Sequence, residues 1–247
     1  MILNIIIFLG FLLFSIFIIT KLIQYYMYLN IVTECISIKS DQHRREDLLK
    51  HLDSIDFESR VEFFNALTKD DVCRKKYKEY IDIITDERIG RLGCWLSHTN
   101  VWKKYINYKG IVLVIEDDVR FKPNINSKLK GILKYLENTD INWDLCFLGR
   151  DEHYDEEFSN IDLGSCDLEM IKKNFYQMHC YLVNCKNISK LLQLCELTNI
   201  DTDTFKENMA IDVYVPKLMK ENKLTLLGVK HQLAYQVSSA KYGSNTG

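Results

Sequence analysis

The chain has 247 residues, 47% of them hydrophobic and two of them proline, and carries 32 Lys and Arg against 34 Asp and Glu for a net charge of -2. That length and apolar content suffice for one sizeable α/β domain, or two small ones, and exclude a disordered chain. The near-neutral balance also excludes the basic footprint that nucleic acids demand, so no DNA or RNA partner is expected.

The first twenty residues, MILNIIIFLGFLLFSIFIIT, contain no charged side chain. As a helix they would reach about 30 Å, the hydrocarbon thickness of a bilayer. Lys21 and the aromatic run KLIQYYMY follow, with no small-residue cleavage site, so residues 1–24 read as a transmembrane anchor rather than a cleaved signal peptide. The flanking cations Lys21, Lys39, Arg44 and Arg45 all lie after the span, which taken literally places the remainder in the cytoplasm. A single adjacent lysine leaves the side of the membrane open.

Behind the anchor, IVTECISIKS (31–40) reads as a strand by its β-branched content, and residues 41–55 as a helix capped by Asp41 with Leu48, Leu49 and Leu52 on one face. VEFFNAL (61–67) is a second strand and 68–88 a charged surface segment with some helical content. Helical spacing recurs over 91–108, in Leu92, Trp95, Leu96, Trp102, Tyr105 and Ile106, before the apolar strand from Ile111. A helix over 127–138 and a strand WDLCFLG (143–149) continue the alternation, which is that of a mostly parallel sheet flanked by helices. Residues 150–173 are acidic and irregular. A strand over 175–184, helices over 186–197 and 210–222, and a strand pair within 224–236 complete a single domain spanning 31–240, with 241–247 a polar tail. The eight cysteines form no CxxC pair and sit among apolar neighbours, so buried free thiols are the expectation. A disulfide stays open if the domain faces a lumen.

The segment IVLVIEDDVRF (111–121) drives an apolar strand into Glu116, Asp117 and Asp118. Strand alternation puts Glu116 and Asp118 on one face and Asp117 on the other. Two carboxylates at the carboxyl end of a parallel strand, where α/β sheets open their ligand crevice, repel each other unless a cation lies between them. Mg²⁺ or Mn²⁺ bridging to a diphosphate fits that demand. The plain alternative is a strand entering a solvated acidic turn.

Neighbouring motifs weigh against the plain alternative. GCWLSH (93–98) lies on a helix leading into the acidic strand. The order G-x-x-x-S-H, helix, apolar strand, E-D-D resembles glycosyltransferase family 25, whose members include lipopolysaccharide and collagen galactosyltransferases. Ile36, Ser37 and Ile38 with Arg44 and Arg45 are similar to that family's opening strand and downstream arginine. WDLCFLG, HCYLVNCKNISKLL and IDVYV are similar to later family motifs, in the right order over about residues 31–240. Two departures stand out: Ser37 replaces the asparagine usual in the opening strand, and 150–173 aligns with nothing.

The resemblance implies a GT-A-like, Rossmann-type α/β fold and inverting transfer from a nucleotide-diphospho-sugar, a UDP-sugar first among donors. The acidic triplet would serve as the metal-binding element. Asp118 is then the first metal ligand, with Glu116 reaching the metal through water or holding the donor's ribose, and Asp117 hydrogen-bonding the scaffold. Arg44 or Arg45 would clamp phosphate oxygens. Ser37 lies in the nucleotide-recognition strand, while Ser97 and His98 would support the nucleotide pocket or the acidic strand. An inverting transfer needs a carboxylate to take the acceptor hydroxyl's proton; Asp212 is the first choice and Asp151 the second, although Asp212 at a helix start also suits a capping role. His231 is a weaker metal candidate. The expected function is metal-dependent transfer of a hexose, galactose being the family's example, to a hydroxyl of a glycan, glycolipid or protein. A non-catalytic transferase fold acting as a membrane-tethered binding module, and a magnesium-dependent phosphotransferase or hydrolase, are the rivals.

Overall fold

In the computed structural model the described residues are 10, 12–19, 31–72, 76–84, 88–152, 158–164, 167–208 and 210–237. Of the expected anchor, residues 10 and 12–19 are helical with large apolar side chains exposed; its other residues, and the tail 241–247, lie outside the described residues. Among the described residues no helix is long and apolar enough to cross a membrane.

Strand β1 (Val32–Ser37) leads into helix α1 (Gln42–Ser54), then β2 (Val61–Asn65) and a single turn, α2 (Lys78–Ile81). Helix α3 (Ile89–Lys104) precedes β3 (Ile111–Glu116) and β4 (Val119–Phe121), followed by α4 (Ile125–Asn138) and β5 (Leu145–Glu152). Two short strands, β6 (Ile161–Asp162) and β7 (Leu168–Met170), come before the long β8 (Phe175–Asn184). Helices α5 (Ile188–Cys195), α6 (Thr202–Asn208) and α7 (Ile211–Lys220) and strands β9 (Leu226–Val229) and β10 (Ala234–Gln236) end the described chain.

Eight strands form one sheet in the order β2-β1-β3-β8-β5-β9-β7-β6. Six run one way; β8, antiparallel to β3 and β5, and β7, antiparallel to β9, run the other. Alternation sorts the core. Val112 and Val114 join Trp95, Trp102, Phe147 and Tyr181 on one face, whereas Leu113 and Ile115 join Leu48, Leu133 and Leu182 on the other. Both faces are therefore covered, and β3 reads as a continuous apolar run because it is buried on two sides.

Three departures from the sequence expectation have physical causes. The acidic stretch does not continue as one strand: β3 stops at Glu116, Asp117 and Asp118 form a turn, and β4 leaves the main sheet to pair with β10. The two strands expected within 224–236 are present but go to different sheets, β9 to the main sheet and β10 to β4. The irregular segment contributes β6 and β7 to the sheet edge, where buried Arg150 bonds Val229 O (3.1 Å), Glu152 (2.6 Å) and Glu169. The six described cysteines are free thiols; Cys73 and Cys166 lie outside the described residues.

The family-like motifs prove to be joints. A Cβ at Gly93 would fall 2.2 Å from Leu67 O, so only glycine lets α3 approach the loop after β2 this closely. One turn on, buried Ser97 accepts the Leu67 amide (2.8 Å) and donates to Gly93 O (2.7 Å). In WDLCFLG, fully buried Asp144 accepts from Lys190 Nζ (2.7 Å) and Thr225 N (2.8 Å), pinning α5 and the entry to β9 onto the start of β5.

Candidate active site

The carboxyl ends of β1 and β3, the amino end of α1, the flank of α3 and the strap β10 meet at one rim of the sheet. This is where a parallel α/β sheet offers its crevice. From α1, Arg44 Nη2 contacts Asp117 Oδ1 at 2.6 Å and Asp118 Oδ2 at 2.8 Å. From β10, Gln236 Nε2 donates to Asp118 Oδ2 (2.9 Å) and approaches Glu116 Oε2 (3.4 Å). Glu116 and Asp118 thus share a donor, as alternation suggests. Asp117 meets the scaffold through the Ser37 hydroxyl of β1, as expected, but the turn also brings it beside Asp118 on the same arginine.

Glu116 is held from below by a hydrogen-bond chain. Trp102 Nε1 donates to the Tyr181 hydroxyl at 3.2 Å, and that oxygen lies 2.7 Å from His98 Nδ1. Indole is only a donor, so the hydroxyl accepts from Trp102 and gives its own proton to Nδ1. The network therefore assigns the His98 proton to Nε2, 3.3 Å from Glu116 Oε1, where it donates. Cys94, one turn earlier on α3, His98 and Glu116 place ligand atoms within 4.8 Å of one another. With Nε2 carrying a proton toward Glu116, that trio is a supported carboxylate rather than a ligand set for a soft ion.

The three acids titrate apart. Burial pushes the Glu116 carboxyl up, but the His98 hydrogen bond, with further lowering from the nearby His98 and His179 rings and from Arg44, outweighs it and holds the group below the usual range. Burial raises Asp117, with Glu116 and Asp41 adding to it against the Ser37 hydroxyl and Arg44. Asp118 is pushed up to about 7, by burial first and then by Glu116, with Arg44 and Gln236 opposing. Its Oδ1 is buried with no hydrogen-bond partner among the described residues.

The other predicted residues separate into two groups. Arg45 turns away from the acids: its Nε bonds Ser37 Oγ (3.0 Å), and its Nη2 bonds Ser37 O (3.0 Å) and Asn65 Oδ1 (2.9 Å), with the guanidinium over Phe63. It braces the ends of β1 and β2. Ser97 is the α3 joint described above and touches the site only by placing His98. Asp212, in the first turn of α7, accepts the Gln177 amide through Oδ2 at 3.2 Å and lies close enough to Cys94 to raise its thiol, after burial and Glu116. Asp151 is exposed at the end of β5 and acts electrostatically on His179. His231 lies exposed after β9, beside Asp167 rather than the acids. Sequence reasoning missed His179 and Gln236. For His179 the two-residue period back from Tyr181 was a usable signal; Gln236 reaches the acids by a pairing that no local pattern encodes.

The model of glycosyltransferase family 25, described as an LPS biosynthesis protein, matches residues 33–213. The chain belongs to glycosyltransferase family 25. A glycosyltransferase 25 family member of Anopheles gambiae is 28% identical over 192 residues, 73% of this chain and 30% of that protein. Procollagen galactosyltransferase 1-A of Xenopus laevis is 24% identical over 200 residues, 77% of this chain and 31% of that protein. The chain thus spans under a third of the length of these curated relatives. The human inactive glycosyltransferase 25 family member 3 is 41% identical over 63 residues, 25% of this chain and 10% of that protein. Among solved structures, apo mouse xyloside xylosyltransferase 1 matches with a TM-score of 0.45 at 10% identity, covering 79% of this chain and 70% of that one. The family 25 match runs from β1 into the start of α7, and so takes in Arg44, the acidic turn, His98, His179 and Asp212.

Proposed function

We propose that this family 25 domain is a metal-dependent, inverting glycosyltransferase of GT-A type. It moves a hexose, galactose by analogy with the procollagen relative, from a nucleotide-diphospho-sugar, a UDP-sugar first, to a hydroxyl of a glycan, glycolipid or protein. The observation that carries this reading is the carboxyl of Asp118: half-buried, with a buried and bare Oδ1, and pushed up to about 7 beside Glu116. Asp117 and Asp118 share one arginine there with Glu116 alongside, and a divalent cation fits the uncompensated charge. Asp118 and Glu116 would hold Mn²⁺ or Mg²⁺, which when bound neutralises charge on the leaving diphosphate.

The chain's own groups do the rest. Arg44 fixes Asp117 and Asp118 in place, and His98 and Gln236 fix Glu116. In the transfer, the acceptor oxygen bonds to the anomeric carbon as the carbon–oxygen bond to the diphosphate breaks. The hydroxyl proton passes to a carboxylate, Asp212 first and Asp151 second. Asp212 spends one oxygen on Gln177 and keeps the other for this role. The exposed apolar helix over 12–19 supports membrane tethering of the domain through residues 1–24.

The similarity to a human relative named inactive favours one second reading, a non-catalytic binding module on the same fold. One assay separates the two. The full chain in detergent is incubated with a panel of UDP- and GDP-sugars, with Mn²⁺ or with chelator, and nucleotide diphosphate release is measured. Release that requires metal and vanishes in Asp118→Ala is expected. Absence of both release and donor-induced thermal shift with every sugar nucleotide would overturn the transferase reading.

A further inference from the structure

Both carboxylates considered as the base lead to one exposed ring. Asp151, at the end of β5, pairs with Tyr176 on β8. Directly opposite residues of an antiparallel pair put their side chains on one face, with Cβ atoms about 5 Å apart. At the next residue of β8, the Gln177 amide donates to Asp212 Oδ2 at 3.2 Å. Tyr176 therefore stands between the two acids. Both acids also lie within electrostatic reach of the acidic rim: beyond burial, Glu116 and Asp151 act on the His179 ring, and Glu116, Asp212 and Asp118 act on the Cys94 thiol.

The backbone aims this ring outward. Between the Gly149–Cys180 and Asp151–Tyr176 pairs, β5 advances two residues and β8 four. The surplus is a bulge, which bends a strand and re-aims its side chains. Within it Gln177 takes a φ of 69°, a left-handed conformation that costs a residue with a Cβ, and Asp212 holds its amide there. Phe175 goes inward, its ring centroid 4.6 Å from that of Phe147, and alternation sends Tyr176 the other way, to 43% exposure. Isolated exposed aromatics are ordinary, and Tyr108, 37% exposed just before the amino end of β3, is one of them. Tyr176 differs because a strained joint holds it between two carboxylates at the site.

We propose that Tyr176 is the platform for a sugar ring of the acceptor, so that the attacking hydroxyl belongs to a carbohydrate, free or lipid-borne, rather than to a protein side chain. The proposal rests on the transferase reading above and specifies the acceptor of that same site. A pyranose has a face of C–H groups and an edge of hydroxyls. The electron-rich face of the phenol attracts the C–H face, while Asp151 and Asp212 on either side accept from the hydroxyls. An extended peptide is held instead by backbone bonds to a free strand, and the Gln177 amide is already spent on Asp212.

Two readouts test this on the full chain in a detergent without a sugar headgroup. The probes are methyl glycosides of glucose, galactose and mannose, with a serine- and threonine-rich peptide as comparison. The first readout, saturation-transfer NMR from protein to probe, needs no turnover. Transfer to the C–H protons of at least one glycoside is expected in the wild type. Tyr176→Phe and Tyr176→Trp should retain it, and Tyr176→Leu, apolar but without an aromatic face, should lose it. Tyr108→Leu should behave as the wild type. The second readout is nucleotide diphosphate release from the UDP-sugar panel. In Tyr176→Leu the KM for the glycoside should rise about tenfold or more with kcat little changed, while release to water without acceptor stays as in the wild type. No saturation transfer from any glycoside to the wild type overturns the proposal, a result that needs no variant to fold. Transfer kept in Tyr176→Leu, or release stimulated by the peptide and by no glycoside, also overturns it and leaves the transferase reading standing. Saturation transfer that depends on Tyr176, with no release from any donor, keeps the sugar platform and overturns only the transferase reading.

Discussion

Asp144 and Asp118 are carboxylates at strand ends of the same sheet, the first fully buried and the second half-buried, and they are treated in opposite ways. Asp144 meets one lysine and one backbone amide, and it joins three elements. Glu34, likewise fully buried, meets Lys104 and Tyr105. At the rim, by contrast, Asp117 and Asp118 divide one arginine, and Glu116 adds a third acid beside them. Asp144 pairs with Lys190, and Glu34 shares Lys104 with the exposed Glu62, so each interior acid meets a lysine with no second buried acid beside it, although each keeps one bare oxygen. The rim is left short of positive charge, and such a shortfall persists when a ligand supplies the remainder.

This contrast can be broken experimentally. The largest effect is expected at Asp118. Asp118→Asn should cut diphosphate release by about 100-fold or more, while the melting temperature without metal holds or rises because a like-charge contact is gone. A drop in both, seen by paired activity and calorimetric measurements, would make Asp118 a structural acid like Asp144. Asp144→Ala is the mirror experiment. It strands Lys190 and the Thr225 amide, and should lower unfolding free energy by about 3 kcal/mol or more in a urea melt. Release per folded molecule should stay unchanged. The smallest effect belongs to Asp117→Asn. Arg44 would still have Asp118, so release should fall about tenfold, well short of the Asp118 loss, and equal losses would make the two acids one functional unit.

Much of the scaffold could be read from the residues. Periodicity located β1, α1, α3, β3, α4 and β8, and the bunching of acids after an apolar run located the rim. The phase of Asp117 could not be read, because alternation holds only while a strand continues, and the turn at 117–118 ends it. The directions of β7 and β8 are fixed by pairing between distant segments. WDLCFLG could be read as a strand, but not the role of its acid: Asp144 is a joint because Lys190 and Thr225 arrive from 46 and 81 residues away. Gly93 and Ser97 are likewise structural, and their contribution to the site is the placement of His98. His179 escaped notice because what marks it, a buried ring beside Glu116 set over Gly149 and the Ala234 carbonyl, exists only once β5, β8 and β10 are assembled.

Strand β10 has a consequence for the order in which the molecule becomes competent. Its Gln236 bridges Glu116 and Asp118, and the next amide, that of Val237, bonds Asp118 O at 2.9 Å. The acids are translated some 120 residues before the strap that trims them. A nascent chain stalled ahead of Ala234 would carry every acid of the rim, and the ring of His179, without the strand that closes over them. The site is therefore completed by nearly the last part of the described domain to be synthesised.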